Sequence, residues 1–501
     1  MSATPPDNTN DIAQLAQGGR TNVIGFLLRL VGRIPFLVIG GRMYGAAALG
    51  RMAYAVLVIE FAAQIATNGM RRGLAQQFAL GDRRHVNEAF NALLISLLVA
   101  LPLIGVLWVV PQIMFPHSAA DGWDRLLPFV IIPIAWTDIV LAALAFRFDV
   151  ATTVRARSIV EPWTLSIAAL TLFYFARQNG LIASYALAMT AAFLTALLAF
   201  LRSFGLPRSW RLELRWLAQV AWQNLPLSAA DAIEWTSRRI DLAILGLFMA
   251  PEIVGVYYVA QQVASLPQRL KTSFDPVLGP VIARKLATGD RAGVAFQIGQ
   301  VGFWIIAAQL GIALAIGWTA TGVMGLVGPK SSFVGGAKAL CFLMAAEVVA
   351  AIGVVSESAL VYVARKRNLV ISALMIGLQV VLTLVIMTLA PGWGWSLRWQ
   401  AAAPAMVLCV TLLLSSVLKA QLASKVLGAP VGAIRWPLII AGLAASLVGF
   451  VFTQFVEWVD VLIGLPMIAG IYGVIIWQYG FAPSDRALFS KGLDPEMAYQ
   501  Q

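Results

Sequence analysis

The chain has 501 residues, 60% of them hydrophobic and 12% charged, with a mean hydropathy of +0.81 and a formal net charge of +12. A soluble domain carries about 25% charged residues, so that class is excluded and an all-α polytopic membrane protein is predicted. Residues Met1–Arg20 are polar and lack an apolar core near the start, so they read as a tail and not as a cleaved signal peptide. Beyond them, apolar runs of about 20 residues, long enough to cross a bilayer, recur almost to the end. Fourteen spans are predicted, near 22–43, 52–70, 92–114, 126–146, 158–176, 181–201, 227–249, 253–270, 294–317, 339–363, 369–390, 401–418, 437–456 and 460–480. Cys341 and Cys409 fall inside these runs, too isolated for a disulfide framework or a metal site, and read as packing residues. His85 and His117 fall in loops, and no cofactor or metal is expected.

The polar segments set the orientation. With the N-terminus in the cytoplasm, Arg71-Arg72, Arg83-Arg84, Arg155/Arg157, Arg208/Arg211/Arg215, Arg284-Lys285 and Arg365-Lys366-Arg367 all fall on one side. That is the positive-inside asymmetry, and it puts both termini in the cytoplasm. The excess of basic residues follows from topology and calls for no nucleic-acid partner. Trp393, Trp395 and Trp399 in one outer loop, and Trp458 in another, suit an interfacial aromatic belt. Leu206–Gln223 mixes arginines with Trp210 and Trp216 and suits the inner interface, with Pro226 ending it where span seven begins. Leu74–Asn91 and Val281–Gln297 are similar amphipathic pieces, and no outer loop is long enough for a soluble catalytic domain.

The sequence also repeats. Arg33-Ile34 with Gly40 returns 206 residues later as Arg239-Ile240 with Gly246. Gly50 returns 205 residues later as Gly255, and Gly81-Asp82-Arg83 returns 208 later as Gly289-Asp290-Arg291. An even number of spans per repeat keeps both copies in one orientation, related by an axis along the membrane normal. Two pseudo-symmetric six-helix bundles plus a C-terminal helix pair are therefore predicted. The divisions are a tail at 1–21, an N-terminal lobe at 22–203, an interfacial linker at 204–226, a C-terminal lobe at 227–430, the final pair at 431–482 and a tail at 483–501.

Charges inside apolar runs carry the functional signal, because an ionisable group at mid-bilayer costs about 2.5–3.5 kcal/mol on insertion scales and must face protein or water. Arg29 and Arg33 stand one helical turn apart on span one, on a face shared with Asn22. Span seven carries Asp231, Glu234, Arg238 and Asp241 within about an 80° arc, with Arg239 alongside. Arg29, Arg33, Arg238, Arg239 and Asn22 are the candidates to line a cavity and bind an anion, since a guanidinium fork suits phosphate or diphosphate. Internal pairing competes with that role: Glu234 can hold Arg238, and Asp231 or Asp241 can hold Arg239. Asp231, Glu234, Asp241, Glu60, Glu347 and Glu357 are candidates for coupling or charge pairing. Glu60, Gln64 and Asn68 form a stripe that suits helix–helix contact, and Asp138 is a further buried acid. Tyr54, Tyr257, Tyr258, Gln261 and Gln262 could meet sugar hydroxyls or simply pack.

The six-plus-six-plus-two layout, the arginines of spans one and seven and the Gly50…Tyr54-Ala55 and Gly81-Asp82 pattern resemble the polysaccharide-export branch of the multidrug/oligosaccharidyl-lipid/polysaccharide flippase superfamily. The resemblance covers nearly the whole chain. It implies a multi-pass protein of the bacterial inner membrane that carries an undecaprenyl-diphosphate-linked oligosaccharide to the periplasmic leaflet. It further implies a V-shaped pair of bundles, a cationic cavity and rocking alternating access, with Arg29, Arg33 and Arg239 at the basic positions of the first and seventh helices. Its partners would be the lipid-linked glycan, membrane lipids and other polysaccharide-assembly proteins, and it would act as a monomer. The diphosphate would dock on the arginines with the lipid tail left in the bilayer; release would use protonation of Glu347, Glu357 or Asp231, or the membrane potential. The acids of span seven depart from a purely cationic cavity. An ion-coupled multidrug or small-molecule carrier is the alternative, although Gly73-Leu74-Ala75 followed by Gln76-Gln77 fails the loop motif of the major facilitators. A membrane glycan polymerase or ligase is a second alternative, disfavoured by the short outer loops. Reporter fusions test the topology: fusions to either terminus should report cytoplasm, and one in the Trp393–Trp399 loop should report periplasm.

Overall fold

The computed structural model describes residues 31–80, 85–147, 149–207 and 213–481, and every regular element among them is helical. In chain order these are α1 (31–39, continued as a π-helical turn Gly40–Tyr44), α2 (Ala46–Ala66), α3 (Met70–Leu80), α4 (His85–Val109) and α5 (Ile131–Phe146, entered through the 3-10 helix Gly122–Val130). Next come α6 (Val150–Val154), the π-helix Arg155–Val160, α7 (Glu161–Phe175), α8 (Gly180–Phe204), α9 (Leu214–Ser237), α10 (Ile240–Phe248) and α11 (Pro251–Ala287). Then follow α12 (Arg291–Trp318), α13 (Ala320–Val327), α14 (Lys330–Phe333), α15 (Ala337–Val363), α16 (Arg365–Leu389) and α17 (Leu397–Leu427). The last are α18 (Trp436–Phe452), α19 (Glu457–Val459) and α20 (Leu465–Ile475).

Ten helices among the described residues are long and apolar enough to cross a membrane. Four of the fourteen expected spans are not among them, for separate reasons. Span one is described only from residue 31. Span seven carries five charges and is broken at Arg238-Arg239. Span eight merges with its amphipathic extension into the 37-residue α11, and span thirteen is the 17-residue α18. Pro226 does not end the linker as expected: it lies inside α9, which runs unbroken from Leu214 to Ser237. The break falls instead where Arg238 and Arg239 follow the C-terminus of α9 and Asp241 opens α10. Cations at a helix C-terminus and an anion at an N-terminus each complement the helix dipole.

The chain divides into two compact units, one reaching to Tyr258 and including Val327–Ser332, the other holding Val259–Leu326 and the residues from Phe333 onward. The core of the first joins Met70, Leu74 and Phe78 of α3 to Ile139 and Leu144 of α5, Phe200 of α8 and Leu217 of α9. The core of the second joins Phe303 and Ile305 of α12 to Val355 of α15, Leu438 of α18 and Ile468 and Tyr472 of α20. Outward-facing Leu187, Leu194 and Leu198 of α8, and Leu443 and Leu447 of α18, stay exposed, as lipid-facing residues should. Cys341 is exposed too, so it does not pack as expected.

Helices in lipid gain little from burying leucine against leucine and associate through close packing at small residues. The first unit does this at the repeat-matched glycines: α2 and α11 cross where Gly50 meets Gly255. A Cβ on Gly50 would overlap the Pro251 carbonyl and sit 2.5 Å from the Gly255 nitrogen. At the other end of α2 the chain turns through Asn68 (φ 48°) and Gly69 (φ 67°) into α3. Gly69 there lies against α9, where a Cβ would come within 2.7 Å of Leu227 Cβ and Ser228 N. Gly50→Val should cost at least about 1–3 kcal/mol through overpacking, read as a lower temperature of aggregation in detergent. Gly105→Ala, where nothing lies within 4 Å, should leave that temperature unchanged.

Candidate functional site

Antiparallel packing sets α2 against α9 and α10, and polar residues punctuate that seam. Near one end Tyr54 lays its ring on Gly246. In the middle Arg239 Nη1 donates to Glu60 Oε2 at 2.5 Å, and Phe61 packs on Trp235 with ring centroids 5.6 Å apart. The Arg239 guanidinium also lies over the Trp235 ring, 5.1 Å from its centroid. Towards the other end Asn68 Nδ2 donates to the Ala221 carbonyl at 3.1 Å. Asp231 Oδ1 there accepts from Arg72 Nε at 3.1 Å and from Arg71 Nη2 at 3.5 Å. Glu60 and Asn68 thus join helices as the stripe suggested, while Gln64 accepts only through its carbonyl, from Thr67 Oγ1 at 2.7 Å.

Glu60 is the hinge of a wider network. Its Oε1 accepts from the buried Tyr185 hydroxyl of α8 at 3.2 Å. Arg33 of α1 lies within electrostatic reach of Tyr258, Glu161, Glu60 and Tyr185. Glu161 is bound in turn by Arg157 Nη1 at 3.1 Å, one helical turn back, and Arg157 Nη2 donates to Asp138 of α5. Arg33, Arg157 and Arg239 therefore stand among Glu60, Glu161 and Asp138, with Asp241 also within electrostatic reach of Arg239. The repeat-matched Arg33 and Arg239 share Glu60 as a neighbour.

Several expected pairings are replaced. Arg239 pairs with Glu60, and Asp241 lies only within its electrostatic reach. Asp231 goes to Arg71 and Arg72, and Asp241 is buried and accepts from Tyr257 Oη at 2.6 Å. The single arc of Asp231, Glu234, Arg238 and Asp241 does not form, because the helix is interrupted at Arg238-Arg239; Arg238 is exposed and Asp241 is buried. Tyr54 and Tyr257 are buried packing residues, whereas Tyr258 faces the network. Asn22, Arg29 and the Glu234 side chain lie outside the described residues. In the second unit Glu357 Oε2 accepts from the buried Lys419 at 2.9 Å, and its Oε1 from Asn368 Nδ2 at 3.2 Å; among the described residues no arginine holds it. Glu347 lies two to three turns away on α15 and is half-buried.

Arg157, Glu161 and Tyr185 escaped the sequence reading. Arg157 had been grouped with Arg155 in an inner loop, yet both belong to the helical stretch Val150–Phe175. Two signals pointed to it: the four-residue spacing of Arg157 and Glu161, which places them on one helix face, and Asp138 in an apolar run, which needs a cation.

Residues 41–295, more than half of the sequence, match the family model described as polysaccharide biosynthesis protein. The chain belongs to that family. A comparison with curated proteins finds no match. Among solved structures, the fold is similar to "Lipid II flippase MurJ, inward closed conformation", with a TM-score of 0.68 and 11% identity over 91% of this chain and 98% of that one. It is also similar to an inward-facing multidrug resistance MATE family transporter of the MOP superfamily, at 0.62 and 14% over 80% and 94%. A MOP superfamily transporter from Pyrococcus furiosus, described as having a binding pocket of reverse polarity, aligns at 0.56 and 14% over 83% and 95%. This member of the polysaccharide biosynthesis family is thus a multi-pass membrane protein that shares its fold with these transporters.

The network predicts unequal costs of substitution. Arg157 is 18% exposed between Asp138 at 17% and Glu161 at 13%. Removing one partner of a buried pair costs about 3–5 kcal/mol, because the remaining charge is left uncompensated. Arg157→Met should therefore lower melting temperature and yield sharply, and adding Asp138→Asn and Glu161→Gln should restore most of both.

Proposed function

We propose that the protein is a flippase that moves an undecaprenyl-diphosphate-linked oligosaccharide, a lipopolysaccharide or exopolysaccharide precursor, across a bacterial inner membrane to the periplasmic leaflet. The observation that carries this reading is Arg239: an arginine among membrane helices, 40% exposed, held by one carboxylate, with Arg33 beside the same carboxylate. A guanidinium so placed can donate to a phosphate oxygen in the position of the Glu60 oxygen. The polysaccharide biosynthesis family and a neighbour in fold titled a lipid II flippase support a lipid-linked glycan as the cargo.

In this proposal Arg33 and Arg239, with Arg29 one turn before Arg33, bind the diphosphate; Arg238 and Asn22 extend the site. Glu60, Asp231, Glu234, Asp241, Glu347 and Glu357 pair charges or couple the cycle. Fourteen spans form two pseudo-symmetric six-helix lobes at 22–203 and 227–430, joined by the 204–226 linker and followed by the pair at 431–482. Alternating access moves the cargo, the protein works as a monomer without cofactor or catalysis, and both termini lie in the cytoplasm.

Ion-coupled export of a small molecule is the second reading, favoured by the carboxylates interleaved with the arginines of the network and by the fold shared with multidrug transporters. One experiment separates them. In cells lacking their own glycan flippase, the wild type should restore lipid-linked glycan to the periplasmic leaflet. Arg33→Ala and Arg239→Ala, at matched membrane levels, should each reduce it at least about tenfold, the loss of one or more charge-assisted hydrogen bonds. Undiminished rescue by both would remove the arginines from the mechanism. Failure of the wild type with several glycans would favour the small-molecule reading.

A further inference from the structure

Arg157 and Arg239 are held differently. Arg157 has two carboxylates, and all three groups are less than a fifth exposed. Among the described residues Arg239 forms one ion pair, with Glu60, its own side chain being 40% and Glu60 21% exposed, while Asp241 lies within electrostatic reach. A pair left that open can be reached by a ligand, so it can exchange. The surroundings also prepare Glu60 for leaving. Its second oxygen is already bound by the Tyr185 hydroxyl at 3.2 Å, so the carboxylate keeps a hydrogen bond when Arg239 lets go. Arg33 stands within electrostatic reach to meet additional negative charge.

Resting on the flippase reading above, we propose that Glu60 is the specificity-determining residue of the site. In the empty carrier it occupies Arg239 as a carboxylate stand-in for phosphate. It yields only to a ligand with more negative charge than itself. A polyprenyl monophosphate sugar is a phosphodiester with one negative charge, and exchanging it for Glu60 leaves the charge at Arg239 unchanged. A polyprenyl diphosphate sugar carries two, and the second falls to Arg33. The carrier therefore takes diphosphate-linked glycans and refuses monophosphate-linked ones, although lipid and sugar are the same.

The test measures binding of both lipids, with the same prenyl chain and the same sugar, to the full-length protein in nanodiscs. The wild type should prefer the diphosphate at least about tenfold, the effect of one charge-assisted hydrogen bond. Glu60→Gln should bring the two within about threefold by gaining affinity for the monophosphate, and Arg239→Ala should weaken both. Should Glu60→Gln keep the wild-type ratio while Arg239→Ala loses both ligands, the flippase reading stands and the role of Glu60 falls. Equal binding of both lipids by the wild type also overturns it. If the wild type binds neither, the flippase reading falls and takes the inference with it. Should Glu60→Gln not fold, Tyr185→Phe decides. Without the hydroxyl that receives Glu60, diphosphate affinity should drop several-fold and monophosphate affinity stay low; an unchanged diphosphate affinity overturns the proposal.

Discussion

A guanidinium ion among membrane helices must be matched by an anion, and the first unit is arranged around that demand. Arginine does not shed its proton, so the fold must supply counter-charge, water or both. Three carboxylates from three helices do so here: Glu60 from α2, Asp138 from α5 and Glu161 from α7. The same chemistry gives two different outcomes because burial differs. Where both acids close on Arg157 away from solvent, the pairing joins α5 to the start of α7. Where Glu60 meets a half-exposed Arg239, the pair is left open on one side.

The backbone follows from this. A continuous span through 227–249 would carry Asp231, Arg238, Arg239 and Asp241 along one straight helix. The break after Ser237 instead turns Arg239 out of helical geometry (φ −136°, ψ 4°) and towards Glu60. It also leaves Asp241 in the first turn of α10, where Tyr257 and the local dipole satisfy it. The glycine crossing of α2 with α11 and the turn at Asn68-Gly69 bound the same seam at its two ends. The interval between them lets α2 lie close enough for Glu60 to reach.

The second unit meets a charge in the same manner with other residues. Lys419 is 7% exposed and pairs with Glu357, which Asn368 also holds, so α15, α16 and α17 are tied by one polar cluster. Lys419 had been placed just past the end of span twelve; α17 continues to Leu427 and carries it into the packed bundle. A lysine at the end of an apolar run is as consistent with a loop as with one more helical turn, and only the neighbouring Glu357 decides between them.

By itself the sequence determined the class of protein, the approximate position of most spans and the presence of charges such as Arg33, Arg239 and Glu60 within apolar runs. Those features depend on local hydrophobicity and on the energetic anomaly of a charge within it, both of which can be read along one dimension. The repeat foreshadowed that Gly50 and Gly255 are equivalent, though not that they touch. What the tertiary structure decided is which acid meets which base. Arg239 has Asp231 and Asp241 as near neighbours in sequence, yet its partner is 179 residues away. Arg157 looked like a loop residue until α5 brought Asp138 to it. Helical periodicity says which residues share a face of one helix, but the partner across a seam depends on how two helices are set against each other. That setting comes from small residues such as Gly50 and Gly69, whose effect is felt only where another backbone comes close.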